Sequence, residues 1–161
     1  MEISIRKFSD EDIPSMVEIW NDVVRDANAF PQTEELTIES AKAFFGSQTF
    51  TGVAVRGEEV LGLYILHPNN VGRCDHIANS SYAVSKYFRG NHIGEKLVMH
   101  SLKTAREHGF LILQFNAVVS SNTAAIRLYE RIGFKRVGII PKGFLNGNGD
   151  YEDIIIYYID L

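Results

Sequence analysis

The stretch 84-VSKYFRGNHIGE-95 decides the fold of this chain, because an apolar strand pattern ends there, turns through glycines and leads into a helical pattern. A turn of this kind leaves unpaired backbone N–H groups at the positive end of a helix dipole, where a phosphate group binds. Arg89 adds a cationic fork, and Gly90 and Gly94 let the backbone approach an anion closely. The stretch therefore predicts a strand–turn–helix unit that binds a pyrophosphate. The alternative is a plain loop whose glycines only permit positive φ.

A second stretch, 122-NTAAIRLYERIGF-134, predicts a short helix. Asn122, Ala125 and Tyr129 lie on one face of this helix, and Gly133 is placed to end it. If both stretches line one crevice, the chain can hold a long phosphorylated cofactor and place the phenol of Tyr129 beside its reactive end.

Hydrophobic periodicity predicts the rest of the chain. Strands are predicted at residues 2–7, 50–56, 60–66, 77–84, 111–118, 134–140 and 151–159, and helices from the cap Asp10 to Val23 and at 38–45, 94–108 and 123–131. The order is β-α-α-β-β-β-α-β-α-β-β, in which the central β-α-β unit implies a parallel strand pair with a right-handed crossover. We therefore predict a single α/β (α+β) domain over residues 1–161, with a mixed sheet of about seven strands and helices on both faces.

Composition limits the classes of function. The 161 residues carry a net charge of −4, which gives no sequence-wide cationic field for nucleic acid or an anionic membrane. The single cysteine, Cys74, excludes an intrachain disulfide, and the five histidines lack a metal-binding spacing. No leader pattern and no apolar run of about 20 residues is present, so we expect a cytoplasmic protein without a metal.

Two other phosphate-binding loops do not fit the glycine turn. A Walker loop ends in Gly-Lys-Ser/Thr, whereas this turn ends in Gly94-Glu95-Lys96. A dinucleotide-binding loop follows the first strand of its fold, whereas this turn follows the fourth predicted strand.

The two stretches together resemble the GNAT acetyltransferase superfamily. The turn resembles motif A, Gln/Arg-x-x-Gly-x-Gly/Ala: Arg89 and Gly94 match its ends, and His92 replaces its middle glycine. The helix resembles motif B, Asn-x-x-Ala-x-x-x-Tyr followed after three to four residues by Gly-Phe. The matches to motif B are Asn122, Ala125, Tyr129, Gly133 and Phe134. The resemblance covers nearly the whole chain and implies acetyl-coenzyme A as the cofactor, with direct attack by an amine in a ternary complex.

The resemblance also implies how the cofactor is held. The cofactor lies between two parallel strands that splay apart, here residues 77–84 and 111–118. Backbone groups of Tyr82 and Val84 pair with the pantetheine arm, and the Val84 N–H polarises the thioester carbonyl. Asn122 holds the pantetheine, caps the second helix, or does both. The full set of implied cofactor-binding residues is Tyr82, Val84, Arg89, Gly90, Asn91, His92, Ile93, Gly94, Glu95, Asn122, Ala125 and Tyr129.

Tyr129 is the predicted catalytic residue, which delivers a proton to the departing thiolate. A phenol has a pKa near about 10 and a thiol near about 8.5, so a hydrogen bond with late or water-mediated transfer is favoured over full transfer. The alternative is a buried helix tyrosine that serves the core. Asp75, His76 and Tyr82 are weaker candidates for the base that deprotonates the amine, or for residues that anchor a chain of water molecules.

Acceptor recognition rests on two amides. Asn79 and Asn116 are polar residues in otherwise apolar strands, and each needs either a backbone partner or a ligand. The chain resembles the branch that includes the yeast enzyme which acetylates the proline analogue azetidine-2-carboxylate, and this places both amides near a small amino acid. Phe144 and Leu145, in a predicted loop, form either a wall over the acceptor or a dimer contact.

The leading hypothesis is therefore an N-acetyltransferase for a small-molecule amine, such as an amino acid. Three alternatives stay open: a protein or peptide N-terminal acetyltransferase, a coenzyme A-binding sensor without turnover, and a nucleotide-binding module. We expect no nucleic-acid or membrane partner, and the sequence leaves open whether two copies of the chain form a homodimer.

Overall fold

The computed structural model of the protein describes residues 2–161 and contains seven strands and four α-helices within them. The strands are β1 (Ser4–Lys7), β2 (Phe50–Arg56), β3 (Glu59–Pro68), β4 (Ile77–Val84), β5 (Ile112–Val119), β6 (Lys135–Leu145) and β7 (Tyr151–Asp160), and the helices are α1 (Ile13–Asp26), α2 (Ile38–Gly46), α3 (Ile93–Glu107) and α4 (Thr123–Ile132). This is the element order that the sequence predicts. None of these helices has the length and apolar character that a membrane span requires.

All seven strands form one mixed sheet in the order β1-β2-β3-β4-β5-β7-β6. The pair β4 and β5, joined through α3, is parallel, and the other neighbours are antiparallel. The predicted parallel unit and mixed sheet are therefore confirmed.

Two hydrophobic cores cover the two faces of the sheet. On one face, α3 and α4 pack on a core that includes Leu97 and Phe115. On the other face, α1 and α2 pack on a core that includes Trp20 and Leu63. Side chains of successive strand residues alternate between these cores, as Ala78 and Ala83 of β4 do, so the position of a residue along β4 fixes the face it occupies.

The start of α1 differs from the prediction that Asp10 caps the helix. A short 3₁₀ turn, Asp10–Asp12, precedes α1, and its cap is Ser9, whose backbone N–H donates to Asp12 Oδ2 over 2.8 Å. Arg6 donates to both carboxylate oxygens of Asp12, at 2.7 and 3.0 Å. Because this ion pair ties β1 to the turn, Asp12 rather than Asp10 fixes the entry of the chain into α1.

Strand β6 is longer than predicted, since it continues through Pro141 to Leu145. Proline lacks a backbone donor and is tolerated in an edge strand, and β6 is the edge of the sheet. The ladder to β7 is irregular between Ile140 and Phe144, which lets the strand continue past the proline. Phe144 is therefore not a loop residue: it is buried and packs with Val119 and Ile154, and its place in a wall over the acceptor stays a prediction.

Candidate functional site

The parallel strands β4 and β5 separate soon after they begin. They pair only at Ile77 with Ile112 and at Ala78 with Leu113. Further along β5, the ladder to β7 shifts register between Phe115 and Val118, and a shift of this kind bends a strand. Beyond Ala78 the two strands therefore enclose a gap rather than a ladder.

This gap is a cavity of about 200 Å³. Residues from both faces of the sheet line it, so it passes through the plane of the sheet. Phe30 and Pro31 contribute from the segment between α1 and α2, and Phe115 and Tyr129 contribute from the core under α3 and α4. The other lining residues are Ala29, Asn79, Ser80, Ser81, Tyr82, Asn116, Ala117, Val118, Val119, Asn122 and Ala125.

Unpaired backbone groups of β4 face this gap. The Ile77 carbonyl accepts from the Asn69 N–H, and the Ser85 N–H donates to the Leu61 carbonyl. The backbone N–H and C=O groups of the odd-numbered residues in this segment therefore point to β3. The His76 carbonyl accepts from the Leu111 N–H on the β5 side over 2.9 Å. Since the backbone groups of a strand alternate in direction, the N–H and C=O of Tyr82 and Val84 point to the open side. An extended ligand arm can pair with them as an added strand would.

The glycine turn leads into α3 as the sequence predicts, one residue earlier than expected. Gly90 and His92 both have positive φ, at 87° and 57°, and α3 begins at Ile93. The Lys96 N–H donates to the His92 carbonyl over 3.1 Å, which starts the helical ladder. The preceding N–H groups, those of residues 93–95, have no partner within the helix and remain available to an anion.

The side chain of His92 does not fill this turn. It is 79% exposed, and its Nδ1 lies 3.8 Å from Glu95 Oε2. The left-handed conformation explains why glycine suits this position, and histidine is among the residues that adopt it more readily than most. The backbone of the turn is thus formed without glycine at its centre.

Cationic side chains around the turn make exposed ion pairs. Arg89 lies 3.8 Å from Asp26, and Arg131 lies 3.2 Å from Glu95. Exposed pairs of this kind contribute little to stability, so both guanidinium groups can turn to a bound pyrophosphate at small cost.

Tyr129 has a free hydroxyl at the cavity. Its ring centroid lies 4.4 Å from that of Phe115 and 5.5 Å from that of Phe134, so the phenol sits among aromatic rings. Burial raises the pKa of Tyr129 well above its usual value of 10. None of the hydrogen bonds among residues 2–161 involves its hydroxyl, so the proton can be donated to a ligand in the cavity. The group is a hydrogen-bond donor at neutral pH and not a base.

Asn122 caps α4, and it also lines the cavity. Its Oδ1 accepts from the Ala125 N–H over 3.3 Å, which is a helix N-cap. Its Nδ2 group carries donors that this bond does not use. The two interpretations of Asn122 are therefore compatible in one geometry.

The amides of Asn79 and Asn116 meet at a residue that sequence reasoning missed. Both side chains donate from Nδ2 to Asn69 Oδ1, at 3.0 and 2.6 Å. Gln114 Nε2 donates to Asn116 Oδ1 over 3.0 Å. The partner of both amides is thus a side chain 10 and 47 residues away and not the backbone, and the alternative, a contact with a ligand, stays a prediction. No periodic signal in the sequence marks Asn69.

The three weaker candidates for the base do not fit that role. The Tyr82 hydroxyl lies 2.7 Å from Ser101 Oγ, and burial raises the pKa of Tyr82 to about 12. Asp75 and His76 precede β4 and do not line the cavity. Within residues 2–161 no group of three acidic, histidine or cysteine side chains is arranged to hold a metal ion.

Comparison with known proteins adds to this geometry. A model described as the acetyltransferase (GNAT) family matches residues 13–134. The chain is 41% identical over 99 residues to the N-acetyltransferase aca1 of Schizosaccharomyces pombe, a match that covers 61% of this chain and 47% of that protein. The chain thus spans about half the length of this relative.

Two further proteins are similar along most of their length. The L-methionine sulfoximine/L-methionine sulfone acetyltransferase of Pseudomonas aeruginosa is 27% identical over 150 residues, covering 88% of this chain and 86% of that protein. The structure of a GCN5-related N-acetyltransferase from Kribbella flavida has a TM-score of 0.91 at 29% identity, covering 99% of this chain and 98% of the other.

Proposed function

The chain belongs to the acetyltransferase (GNAT) family, and we propose that it transfers the acetyl group of acetyl-coenzyme A to the amine of a small molecule, with an amino acid as the favoured acceptor. The observation that carries this proposal is the cavity between β4 and β5. An unpaired backbone edge borders it on one side, and the free phenol of Tyr129 borders it on the other.

Acetyl-coenzyme A would bind along the gap. The N–H groups at the start of α3 and Arg89 hold the pyrophosphate, with Gly90, Asn91 and Gly94 shaping the turn. The pantetheine arm pairs with the backbone of Tyr82 and Val84 and passes Asn122 and Ala125.

The reaction is a direct attack in the ternary complex. The amine nitrogen forms a bond to the thioester carbonyl carbon, the carbon–sulfur bond breaks, and the amine loses its proton to water. The Val84 N–H stabilises the charge that develops on the carbonyl oxygen, as an oxyanion-hole donor does. Tyr129 donates a hydrogen bond to the departing sulfur, and because the pKa of its phenol is raised, the proton passes to sulfur late or through water. The phenol regains a proton from the water that took up the amine proton.

Two observations support a small acceptor. Asn79 and Asn116 line the cavity with their amides, where they would bind the acceptor. The Pseudomonas aeruginosa relative is named for two small amino acid derivatives. The resemblance to the azetidine-2-carboxylate branch extends the proposal to small cyclic amino acids.

A thiol-release assay with acetyl-coenzyme A tests the proposal. The amine panel holds free amino acids, including L-azetidine-2-carboxylate and L-methionine sulfone, together with short peptides. We expect thiol release with at least one free amino acid and none with peptides. Release with peptides alone would establish a protein or peptide acetyltransferase, and binding of acetyl-coenzyme A without any release would establish a sensor. Thermal stabilisation by ATP or NAD but not by acetyl-coenzyme A would point to a nucleotide-binding module.

A homodimer remains a separate proposal. Leu145, at the end of the edge strand β6, is exposed, and the exposed apolar side chain is compatible with a contact to a second copy. Sedimentation of the wild type and of Leu145→Glu tests it: a dimer that the substitution dissociates supports this contact, and a wild-type monomer removes it.

A further inference from the structure

Three primary amides meet on one face of the sheet, beside the cavity. By strand alternation, Asn79 of β4 lies on the face that α1 and α2 cover, because Ala78 and Ala83 mark the two faces. Asn69 follows β3, and its backbone N–H donates to the Ile77 carbonyl over 2.7 Å. This bond fixes the backbone of Asn69 at the point where β4 and β5 begin to separate. Its side-chain oxygen is therefore a fixed acceptor, to which Asn79 and Asn116 attach from the two diverging strands.

The donors of Asn79 and Asn116 converge on one atom, Asn69 Oδ1. Each of the two Nδ2 groups carries two N–H hydrogens and uses one of them in this contact, so each keeps one. Both lone pairs of Asn69 Oδ1 are in use, so this oxygen does not compete for the remaining hydrogens. Two N–H donors held close together beside a cavity suit an anionic oxygen group, and a carboxylate is the one that every free amino acid carries.

We propose that Asn69 is a positioning residue whose carbonyl oxygen holds the amides of Asn79 and Asn116 with their remaining hydrogens available to the carboxylate of the acceptor. This inference rests on the proposed function, since it assigns the acceptor to the same cavity. Because Asn69 itself does not line the cavity, it acts through the two amides that do. It also joins the strands on both sides of the gap, so it sets how far apart the two amides stand.

The positioning role of Asn69 can be distinguished from a purely structural role by the acceptors whose reaction is affected when Asn69 is replaced. A residue that only stabilises the fold affects all acceptors equally, whereas a residue that orients donors for a carboxylate affects only acceptors that carry one. The informative acceptors are therefore free amino acids paired with their primary carboxamides, which keep the amine and lose the negative charge.

The experiment measures kcat and KM by thiol release for L-azetidine-2-carboxylate and L-methionine sulfone, each with its carboxamide. The variants are Asn69→Asp and Asn69→Ala, with Asn70→Ala as the matched control. Aspartate keeps an acceptor for both amides, so it preserves their attachment, but its charge repels a carboxylate. Asn70 is an exposed neighbour whose Oδ1 accepts from the Val71 N–H and which takes no part in the cluster.

We expect the wild type to prefer the free acids by at least about tenfold in kcat/KM, as the loss of a hydrogen bond to a charged group predicts. Asn69→Asp should raise the KM of the free acids by about 10- to 100-fold and change that of the carboxamides by less than about threefold. Asn69→Ala should raise the KM of the free acids about tenfold with kcat nearly unchanged, and Asn70→Ala should match the wild type. Calorimetric titration with acetyl-coenzyme A reports that each variant is folded.

Two results would overturn the inference while the proposed function stands: equal use of acid and carboxamide by the wild type, or equal loss on both by Asn69→Asp. If Asn69→Asp does not bind acetyl-coenzyme A, the kinetic constants of Asn69→Ala test the inference instead. A fall in kcat with unchanged KM for the free acids would then contradict the positioning role of Asn69. The absence of thiol release with any amine would instead remove the proposed function, and this inference with it.

Discussion

Ala78 of β4 lies opposite Leu113 of β5 and forms the last pair of the parallel ladder between these strands. The bulge of β5 against β7 follows within a few residues, between Phe115 and Val118. Because the end of one ladder and the bend in the other coincide, the backbone itself opens the cavity. Among the hydroxyl groups of the residues that line the cavity, those of Tyr129 and Ser81 have no hydrogen-bond partner in the described part of the chain, whereas those of Ser80 and Tyr82 do.

Tyr129→Phe should lower kcat by roughly 10² to 10⁴-fold, with little change in the KM of either substrate. The substitution removes the donor to the departing sulfur but keeps the ring that packs on Phe115. Since burial raises the pKa of Tyr129, the phenol stays protonated across the neutral range. The ratio of wild-type to mutant rate should therefore be constant between about pH 6 and about pH 9. Steady-state thiol release over that range measures it.

Tyr151→Phe is the matched control for this prediction. Tyr151 is exposed at the start of β7 and does not line the cavity, so its loss of a hydroxyl should leave kcat unchanged. A Tyr129→Phe enzyme with the wild-type rate would show that the phenol is only a part of the core.

His92→Gly should raise the free energy of unfolding by about 0.5–1 kcal/mol. His92 has a φ of 57°, a left-handed conformation that costs a side chain energy and costs glycine none. The affinity for acetyl-coenzyme A should not fall, because the exposed imidazole leaves the backbone N–H groups of the turn to bind the phosphate. Urea denaturation and calorimetric titration measure the two quantities.

The control for this variant is His92→Ala, which removes the imidazole and keeps the strained φ. It should not gain stability. If His92→Gly loses affinity for acetyl-coenzyme A while His92→Ala does not, a side chain at position 92 is needed to hold the turn in its binding conformation, and the backbone N–H groups alone do not account for phosphate binding.

Most of the fold could be predicted from the sequence because its signals are local. The alternation of Ile3 and Ile5 with polar neighbours predicts β1, and the glycines of the turn predict the start of α3. The predicted element ends are wrong where a contact with another part of the fold determines the local structure. Pro141 predicts a strand end, but the position of β6 at the edge of the sheet lets the strand continue. Ser9 caps the 3₁₀ turn and Asp12, which Arg6 of β1 binds, stands in the cap position of α1, so Asp10 caps neither.

The residues of the candidate site divide in the same way, into those that a local motif predicts and one that only a contact in the folded chain reveals. Tyr129 and Asn122 belong to a contiguous motif, and the structure brings both to one cavity, although their roles in binding and catalysis stay predictions. Asn69 could not be found in this way, because its two partners lie on strands that meet it only after the sheet forms. An asparagine in a loop ordinarily indicates a turn, so its type and position carry no sign of this contact.

Stability should fall as the pH drops below about 6.5, in part because of His100. His100 Nδ1 lies 2.8 Å from the Tyr64 hydroxyl under α3, and burial lowers the pKa of His100 below its usual value, with Lys103 adding to the shift. The unfolded chain takes up a proton near pH 6.5, and the folded chain does so only at lower pH, so acid favours unfolding between these values. His100→Gln should therefore show a shallower loss of unfolding free energy between about pH 7 and about pH 5. The same substitution at the exposed His92 is the control, and equal slopes for wild type and His100→Gln would contradict the assignment.

Gly52→Ala should destabilise the fold by about 1–3 kcal/mol. Gly52 of β2 lies opposite Tyr64 of β3, and a Cβ added to it would stand 2.5 Å from Tyr64 Cε1. The ring cannot move aside easily, because it is fully buried, stacks on Phe50 and is held through its hydroxyl by His100. Gly46→Ala is the matched control, since a Cβ there meets no atom within 4 Å and the residue ends α2, where alanine costs nothing. Urea denaturation of both variants measures the difference. A Gly52→Ala protein that unfolds at the wild-type urea concentration would mean that the Tyr64 ring has room to shift, and that the network beneath α3 is looser than its contacts indicate.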